Sequence, residues 1–428
     1  MQPWSEAQEP LYGEQTRLTL ENMTFSGVPL SRYPAYLRAA AQVKAACARA
    51  NARAGLLPPE KAEAIEAACR QVGSGRYDNQ FPVDVYHGGG GIGINMNLNE
   101  VIATLAGGDV HPVNDVNCSQ STSDVCHTSL RLALLEGLET LDEEIRLWVE
   151  QLEELARRFD PVPTIARTCW QDGMQISAGA LFSATASAIA RQRKELRRWR
   201  ETLHEINLGW TVIGDGTGAP KAYREQILPA LRAVTGRALT WQENLLDAAE
   251  YPDDVAAVSA AVTRLSQILA KFSRDLRLLS SGPDTGLMEM QLPAVQAGSS
   301  FFPGKVNPVL PEMMIQCAML IEGSDGVIQR TVGQGEVHIN LWEELMGFLL
   351  LENIDRLHAA MELLRVRCVS GIVLNEDVCR KYAAARIPQI VAYRETYGYA
   401  YLSKRIKTEG LEAVTEDLQR NPLPHGGR

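Results

Sequence analysis

The chain of 428 residues has no run rich in lysine or arginine, and Asp and Glu (52) outnumber Lys and Arg (42), for a net charge of -10. A surface built for nucleic-acid phosphates needs the opposite balance, so nucleic-acid binding is not expected. No apolar stretch approaches the roughly 18 residues that cross a bilayer, so no membrane partner is expected. The opening MQPWSEAQEP is acidic and lacks the basic-then-apolar order of a secretory leader, which makes the cytoplasm the expected location. The eight cysteines never stand as C-x-x-C or at zinc-finger spacing to a histidine, a pattern that points to buried free thiols rather than a metal site or a disulfide framework. Sustained alternation of β-branched residues is missing, so strands are expected to be few. Repeats and Pro-rich or Asn/Gln-rich tracts are missing too, and only NPLPHGGR at the end reads as disordered.

What is present is helical periodicity. Leu134, Leu138, Leu141, Ile145, Trp148, Leu152 and Leu155 recur at steps of four and three, and Val255, Val258, Val262, Leu265, Leu269, Phe272, Leu276 and Leu279 do the same. Alternating steps of three and four are the seam of helices packed side by side. A helix of roughly 25 residues runs to about 40 Å. A third helix is expected over 177–205, with Ala178, Leu181, Thr185, Ala188 and Ile189 on one face, and a fourth over 311–330, opening with Pro311 and Glu312. The fold class is mainly α, with an elongated bundle of the kind shared between subunits.

Three stretches make little sense as packing. The first is FPVDVYHGGGGIGINMNLN, from Phe81 to Asn99, whose glycines let backbone amides approach a ligand. The second is HPVNDVNCSQSTSD, from His111 to Asp124, dense in hydroxyls and amides. The third, GSSFFPGKVNP from Gly298 to Pro308, sets two serines, a lysine and an asparagine among apolar neighbours. HGGG can serve as an esterase oxyanion loop, but the chain has no G-x-S-x-G elbow. The third stretch misses a phosphate-binding P-loop, because Gly298 stands one residue too far from Gly304-Lys305 and Val306 replaces the magnesium-binding hydroxyl. Hydroxyls, amides and one cation together suit a small dicarboxylate.

At these loops the chain resembles the aspartase/fumarase superfamily, in its aspartase and class II fumarase branch. The resemblance runs from LYGEQTRLTLENM through the first two loops, GTG at Gly216–Gly218 and RLLSSGP to AGSSFFPGKVNPVLPE, and thins after about Asn375. It implies a three-part subunit with a long central helical bundle, divided at 1–122, 123–353 and 354–428. It also implies a homotetramer whose composite sites draw loops from three subunits. The implied reaction is anti elimination of HX from a 2-substituted succinate to give fumarate, without metal or organic cofactor. Ser299 is then the base, and the proton it removes beside a carboxylate leaves a doubly charged aci-carboxylate. Ser121, Thr122 and Ser300 hold that carboxylate, while Lys305, Asn307 and Thr168 hold the other. Asn95 belongs to the same binding set. A free serine is too weak a base at neutral pH, so backbone amides and Lys305 must stabilise its alkoxide. Phe301 and Phe302, where relatives carry smaller aliphatics, either exclude water or anchor the loop.

The departures gather on the leaving-group side. Where aspartases read GGAGTS this chain reads GGGGIG, so Ile92 replaces a threonine and Gly93 a serine. Ser123 replaces an asparagine, and Cys169 stands where many relatives place a histidine that pairs with the residue at Glu312. Arg17 is displaced by one position from a family arginine. A cation buried without acceptors is costly, which favours nitrite, as in nitrosuccinate lyases. Ammonia, as in aspartate ammonia-lyases, and other succinate adducts remain alternatives, with a non-catalytic structural homologue more remote. His87, His111, His127 and His338 read as hydrogen-bonded or structural histidines, with His127 in the first turn of a helix.

Overall fold

The computed structural model describes residues 10–421; the acidic start and all but the first residue of NPLPHGGR lie outside them. Fifteen α-helices carry the described chain, and the first seven are α1 (Glu14–Met23), α2 (Pro34–Arg53), α3 (Pro59–Gly73), α4 (Ile92–Ala106), α5 (Thr122–Phe159), α6 (Ala180–Thr202) and α7 (Lys221–Thr235). Then follow α8 (Leu245–Glu250), α9 (Asp253–Leu279), α10 (Val309–Thr331), α11 (Glu343–Arg367), α12 (Glu376–Ala383), α13 (Arg386–Tyr397), α14 (Tyr399–Glu409) and α15 (Leu411–Arg420). They form two compact units. One takes residues up to 143, 192–266 and 317–359, and the other takes 144–191, 267–316 and 360 onward.

In the first unit the seams bury Leu134, Leu138 and Leu141 of α5 and Val255, Val258, Val262 and Leu265 of α9. Tyr33 and Tyr36 pack on Phe348 with ring centroids 4.8 and 5.0 Å apart. In the second unit the seams continue through Ile145, Trp148, Leu152, Leu155, Leu269, Phe272 and Leu276, all buried. Trp148 meets Phe272 edge-on at 6.2 Å and donates its indole N–H to the carbonyl of Met361 at 3.1 Å, so the large ring is buried without an orphan donor. Leu279, last of the second seam, is half-buried. By length and composition α9 is apolar enough to cross a bilayer, which revises the expectation that no such stretch exists. Its apolar face is the buried seam just described.

Two expected helices shift. The fourth spans Val309–Thr331. The third begins only at Ala180, because residues 171–177 form a strand. Its buried face carries Phe182, Thr185, Ala186 and Ile189, and the Thr185 hydroxyl donates to the carbonyl of Leu181 at 2.8 Å. The strand belongs to an antiparallel hairpin of β1 (Pro163–Thr168) and β2 (Gln171–Ser177), whose register slips between Ile165 and Arg167. That bulge and the short strands hide the two-residue period from the sequence.

Six cysteines are buried free thiols as expected, but Cys118 is half-buried and Cys169 is exposed.

Candidate active site

The first unit gathers the Gly-rich loop and the hydroxyl-rich loop. Ser121 precedes α5 and Asp124 lies in its first turn, an S-x-x-D arrangement in which the Ser121 N–H donates to Asp124 Oδ1 at 2.9 Å. The Ser121 hydroxyl accepts the Ser123 N–H at 3.3 Å. Asp124 is buried, which raises its pKa, and its second oxygen accepts the amides of Gly209 and Thr211. From α4, the Asn95 amide donates to Thr122 Oγ1 at 3.0 Å and to Asn117 Oδ1 at 3.1 Å. So Asn95, Ser121, Thr122 and Ser123 lie together, while Ile92 opens α4 with 45% of its surface exposed.

Beneath them lies a group the sequence reading missed. Lys44 of α2 is wholly buried, donates to Asn117 Oδ1 at 2.9 Å and Gln120 Oε1 at 3.0 Å, and has its pKa lowered to about 8 by burial. A lone lysine in the alanine-rich RAAAQVKAACARA was the available signal. A second missed group runs through His127. Its Nδ1 lies 2.9 Å from the Glu343 carboxylate, and its Nε2 accepts Arg131 Nε–H at 2.7 Å. Arg131 in turn holds both oxygens of Asp254, at 2.5 and 2.9 Å. His127 sits buried in the second turn of α5, not the first, because the helix begins at Thr122, and there its ring joins this network. His111 caps its own turn, its Nδ1 accepting the amides of Val113 and Asn114 at 3.1 Å.

In the second unit the residues of the third loop cluster. Gly298 N–H donates to the Lys305 carbonyl at 3.0 Å, and the Asn307 side chain donates to the Gly298 carbonyl at 2.5 Å, so the loop closes on itself. A Cβ at Gly298 would lie 2.2 Å from the Lys305 carbonyl oxygen, which explains the glycine. Inside this ring the Ser299 Oγ accepts two backbone amides, from Phe301 at 3.0 Å and Phe302 at 2.9 Å. Two fixed donors on one hydroxyl oxygen favour negative charge there. Ser300 and Lys305 are exposed beside it. The Lys305 ammonium lies 5.5 Å from the centroid of the Phe302 ring and, among the described residues, makes no ion pair. Phe301 and Phe302 are 79% and 56% exposed, so within this chain they do not anchor the loop.

Thr168 and Cys169 lie elsewhere in this unit, at the hairpin tip. Thr168 pairs with Gln171, leaving Cys169 and Trp170 as a two-residue turn with φ of 52° and 61°. Such turns favour glycine or asparagine, and two other residues here carry strain of order 1–2 kcal/mol each. Cys169, Trp170, Arg167, Leu181 and Asp275 line a groove of about 360 Å³. Glu312, on α10, pairs not with a histidine but with Arg277 at 3.4 Å.

A family model described as Lyase matches residues 3–323. The chain is 39% identical over 382 residues to an aspartate ammonia-lyase of Corynebacterium glutamicum, covering 87% of this chain and 73% of that one. It is 38% identical to an aspartate ammonia-lyase of Pseudomonas aeruginosa, over 94% of this chain and 87% of that one. Among solved structures it is similar to a Brucella melitensis protein described as fumarate lyase:delta crystallin, with a TM-score of 0.92, 37% identity, and coverage of 97% and 93%. It is also similar to a class II fumarase of Schistosoma mansoni, with a TM-score of 0.90, 25% identity, and coverage of 98% and 97%.

Proposed function

Because the chain belongs to the lyase family of the aspartase/fumarase superfamily, we propose that it eliminates a nitrogen leaving group from a 2-substituted succinate to give fumarate, with Ser299 as the base. The observation that carries this reading is the Ser299 Oγ held by the amides of Phe301 and Phe302. Each such donor is worth about 3–4 kcal/mol in comparable oxyanion sites, enough to bring a serine alkoxide within reach. Ser299 takes the proton from the carbon next to the one bearing nitrogen. The C–H electron pair moves into the adjacent carboxylate as an aci-carboxylate, then returns to form the double bond as the C–N bond breaks and nitrogen departs with its pair. Ser121, Thr122 and Ser300 hold the carboxylate that gains charge. Lys305, Asn307 and Thr168 hold the other, Lys305 being a cation that makes no ion pair among the described residues and Asn307 keeping one amide hydrogen beyond its bond to Gly298.

Two leaving groups are supported by different observations. The relatives named aspartate ammonia-lyase favour ammonia from aspartate. Nitrite from nitrosuccinate is the reading the residue types suggest, since the changes at Ile92, Gly93, Ser123 and Cys169 together remove two groups able to hydrogen-bond an ammonium and add an apolar wall. Exposed Met319, Leu320 and Val327 on α10 suit burial against further copies, in keeping with a homotetramer with composite sites. The three-part division at 122 and 353 and a cytoplasmic location belong to the same reading. A non-catalytic role sits poorly with a serine held by two amides in the same loop as Lys305, which makes no ion pair among the described residues.

The test is to incubate the protein separately with aspartate, malate and nitrosuccinate and to measure fumarate. Fumarate from aspartate or nitrosuccinate, lost in Ser299→Ala, is the expected result; fumarate from none of the three would overturn the reading.

A further inference from the structure

Lys44 is wholly buried, and no step of the elimination uses it. With its pKa lowered to about 8 its ammonium is protonated at pH 7, and an ammonium can only donate. The Asn117 atom 2.9 Å from it is therefore the carbonyl oxygen Oδ1, and the Gln120 atom at 3.0 Å is Oε1. The other half of the Asn117 amide agrees, since its Nδ2 donates to the Gln120 carbonyl at 3.2 Å. Asn117 Oδ1 being an acceptor, the Asn95 atom 3.1 Å from it must be Nδ2. That same nitrogen lies 3.0 Å from Thr122 Oγ1 and spends its second hydrogen there. The Thr122 oxygen thus accepts from Asn95, and its own hydrogen points away from this network.

We propose that Lys44 is a positioning residue: acting through Asn117 and Asn95, it holds Thr122 as an acceptor toward the protein and so reserves the Thr122 hydroxyl hydrogen for the substrate carboxylate. This rests on the elimination reading above, in which Thr122 holds the carboxylate that gains charge. A hydroxyl without such a partner rotates freely and has to be reoriented as the aci-carboxylate forms. One whose sense is fixed in advance meets the growing charge already aimed, which is the condition for an effective oxyanion donor. Lys44 itself stays two amides away from the reacting atoms, so it acts by setting the direction of the bonds between.

The experiment compares two near-isosteric substitutions that add the same charge to the network but set Thr122 in opposite senses. In Asn117→Asp the carboxylate still accepts from Lys44 and Asn95, so Thr122 keeps its sense. In Asn95→Asp the carboxylate accepts the Thr122 hydrogen and takes it from the substrate. kcat and KM for fumarate formation from the preferred substrate are measured together with Tm. Asn95→Asp is expected to lower kcat by about a hundredfold, the cost of one oxyanion donor. Its KM should move by less than about threefold, because the charge that donor meets grows only after binding. Asn117→Asp is expected to keep kcat within about fivefold while lowering Tm, since its bond to the Gln120 carbonyl is lost. Lys44→Met then ties the effect to the lysine: it should lower kcat about tenfold or more alone, but by less than about twofold in the Thr122→Val background, with the same Tm loss in both. Asn95→Asp at near wild-type kcat, Asn117→Asp as impaired as Asn95→Asp, or a Lys44→Met loss repeated in full without the Thr122 hydroxyl each overturns the positioning role and leaves the elimination reading in place. Fumarate from neither aspartate nor nitrosuccinate with wild type overturns the elimination reading itself, and the role of Lys44 with it.

Discussion

Replacing Gly298 with alanine places a methyl group 2.2 Å from the Lys305 carbonyl oxygen and 2.9 Å from the Asn307 amide nitrogen. Ordinary contact needs about 3.5 Å, so the two arms of the loop must part by about 1 Å. The N–H of Gly298 then loses the Lys305 carbonyl, and the Asn307 side chain loses the Gly298 carbonyl. At about 1 kcal/mol for each bond the stability cost is about 2 kcal/mol at most, a Tm loss of several degrees. The catalytic cost is larger, since this ring fixes Ser299, its two amide donors and Lys305 relative to one another. A misplacement of about 1 Å costs about a hundredfold in rate. Steady-state fumarate formation, followed by absorbance alongside a thermal melt, separates the two effects. A Gly298→Ala variant that keeps its kcat within threefold would refute the claim that the closed loop organises the base.

Other expectations follow from the charged groups. Lys305→Met removes the cation assigned to the second carboxylate and should lower kcat/KM by about a hundredfold or more with Tm little changed, read in the same assay. Asp254→Ala leaves the buried Arg131 without its carboxylate and should cost about 3–5 kcal/mol, seen in denaturant unfolding. Burial raises the Asp254 pKa, but the Arg131 guanidinium outweighs it and leaves the group below its ordinary value. That contribution is present above the unfolded pKa of about 3.9 and is lost as pH falls through the lower folded value, so the stability gap between wild type and Arg131→Met should be widest near neutral pH and narrow in acid, and a gap that widens in acid would refute it. Glu344 is the opposite case: burial, and then neighbouring Glu343, push it up to about 8. Ionising it costs the folded state, so its contribution to stability falls as pH rises from about 4 toward 8. Glu344→Gln should flatten that part of the Tm–pH curve, and an unchanged slope would argue against it.

The helical seams were legible because three-four spacing in Leu134 to Leu155 and Val255 to Leu276 maps directly onto one buried stripe. The three stretches stood out because clusters of glycine, hydroxyl and amide groups are unusual in packed helices, although residues 92–99 of the first prove to be the start of α4, with Asn95, Asn97 and Asn99 buried. The hairpin was not, since Pro163–Ser177 is short, bulged and half exposed. Nor was the His127 network, whose four members come from residues 127, 131, 254 and 343. No local pattern announces that a histidine will meet a glutamate 216 positions away. Gly93 looked like a simple loss, but a Cβ there would lie 2.6 Å from His87 Nε2, so the imidazole fills the space of a side chain. Glu312 shows the converse: its retention suggested a missing histidine, and three-dimensional packing supplies Arg277 instead.

The central claim is that Ser299 takes the proton. It is tested most directly by measuring kcat in Ser299→Ala with the preferred substrate, together with the Kd for fumarate by calorimetry. The account predicts that kcat falls about a thousandfold, within the range of a lost general base, while fumarate still binds within about threefold, because one uncharged hydroxyl adds little to ground-state affinity. A variant that binds fumarate normally and still forms it at near wild-type rate would contradict the account.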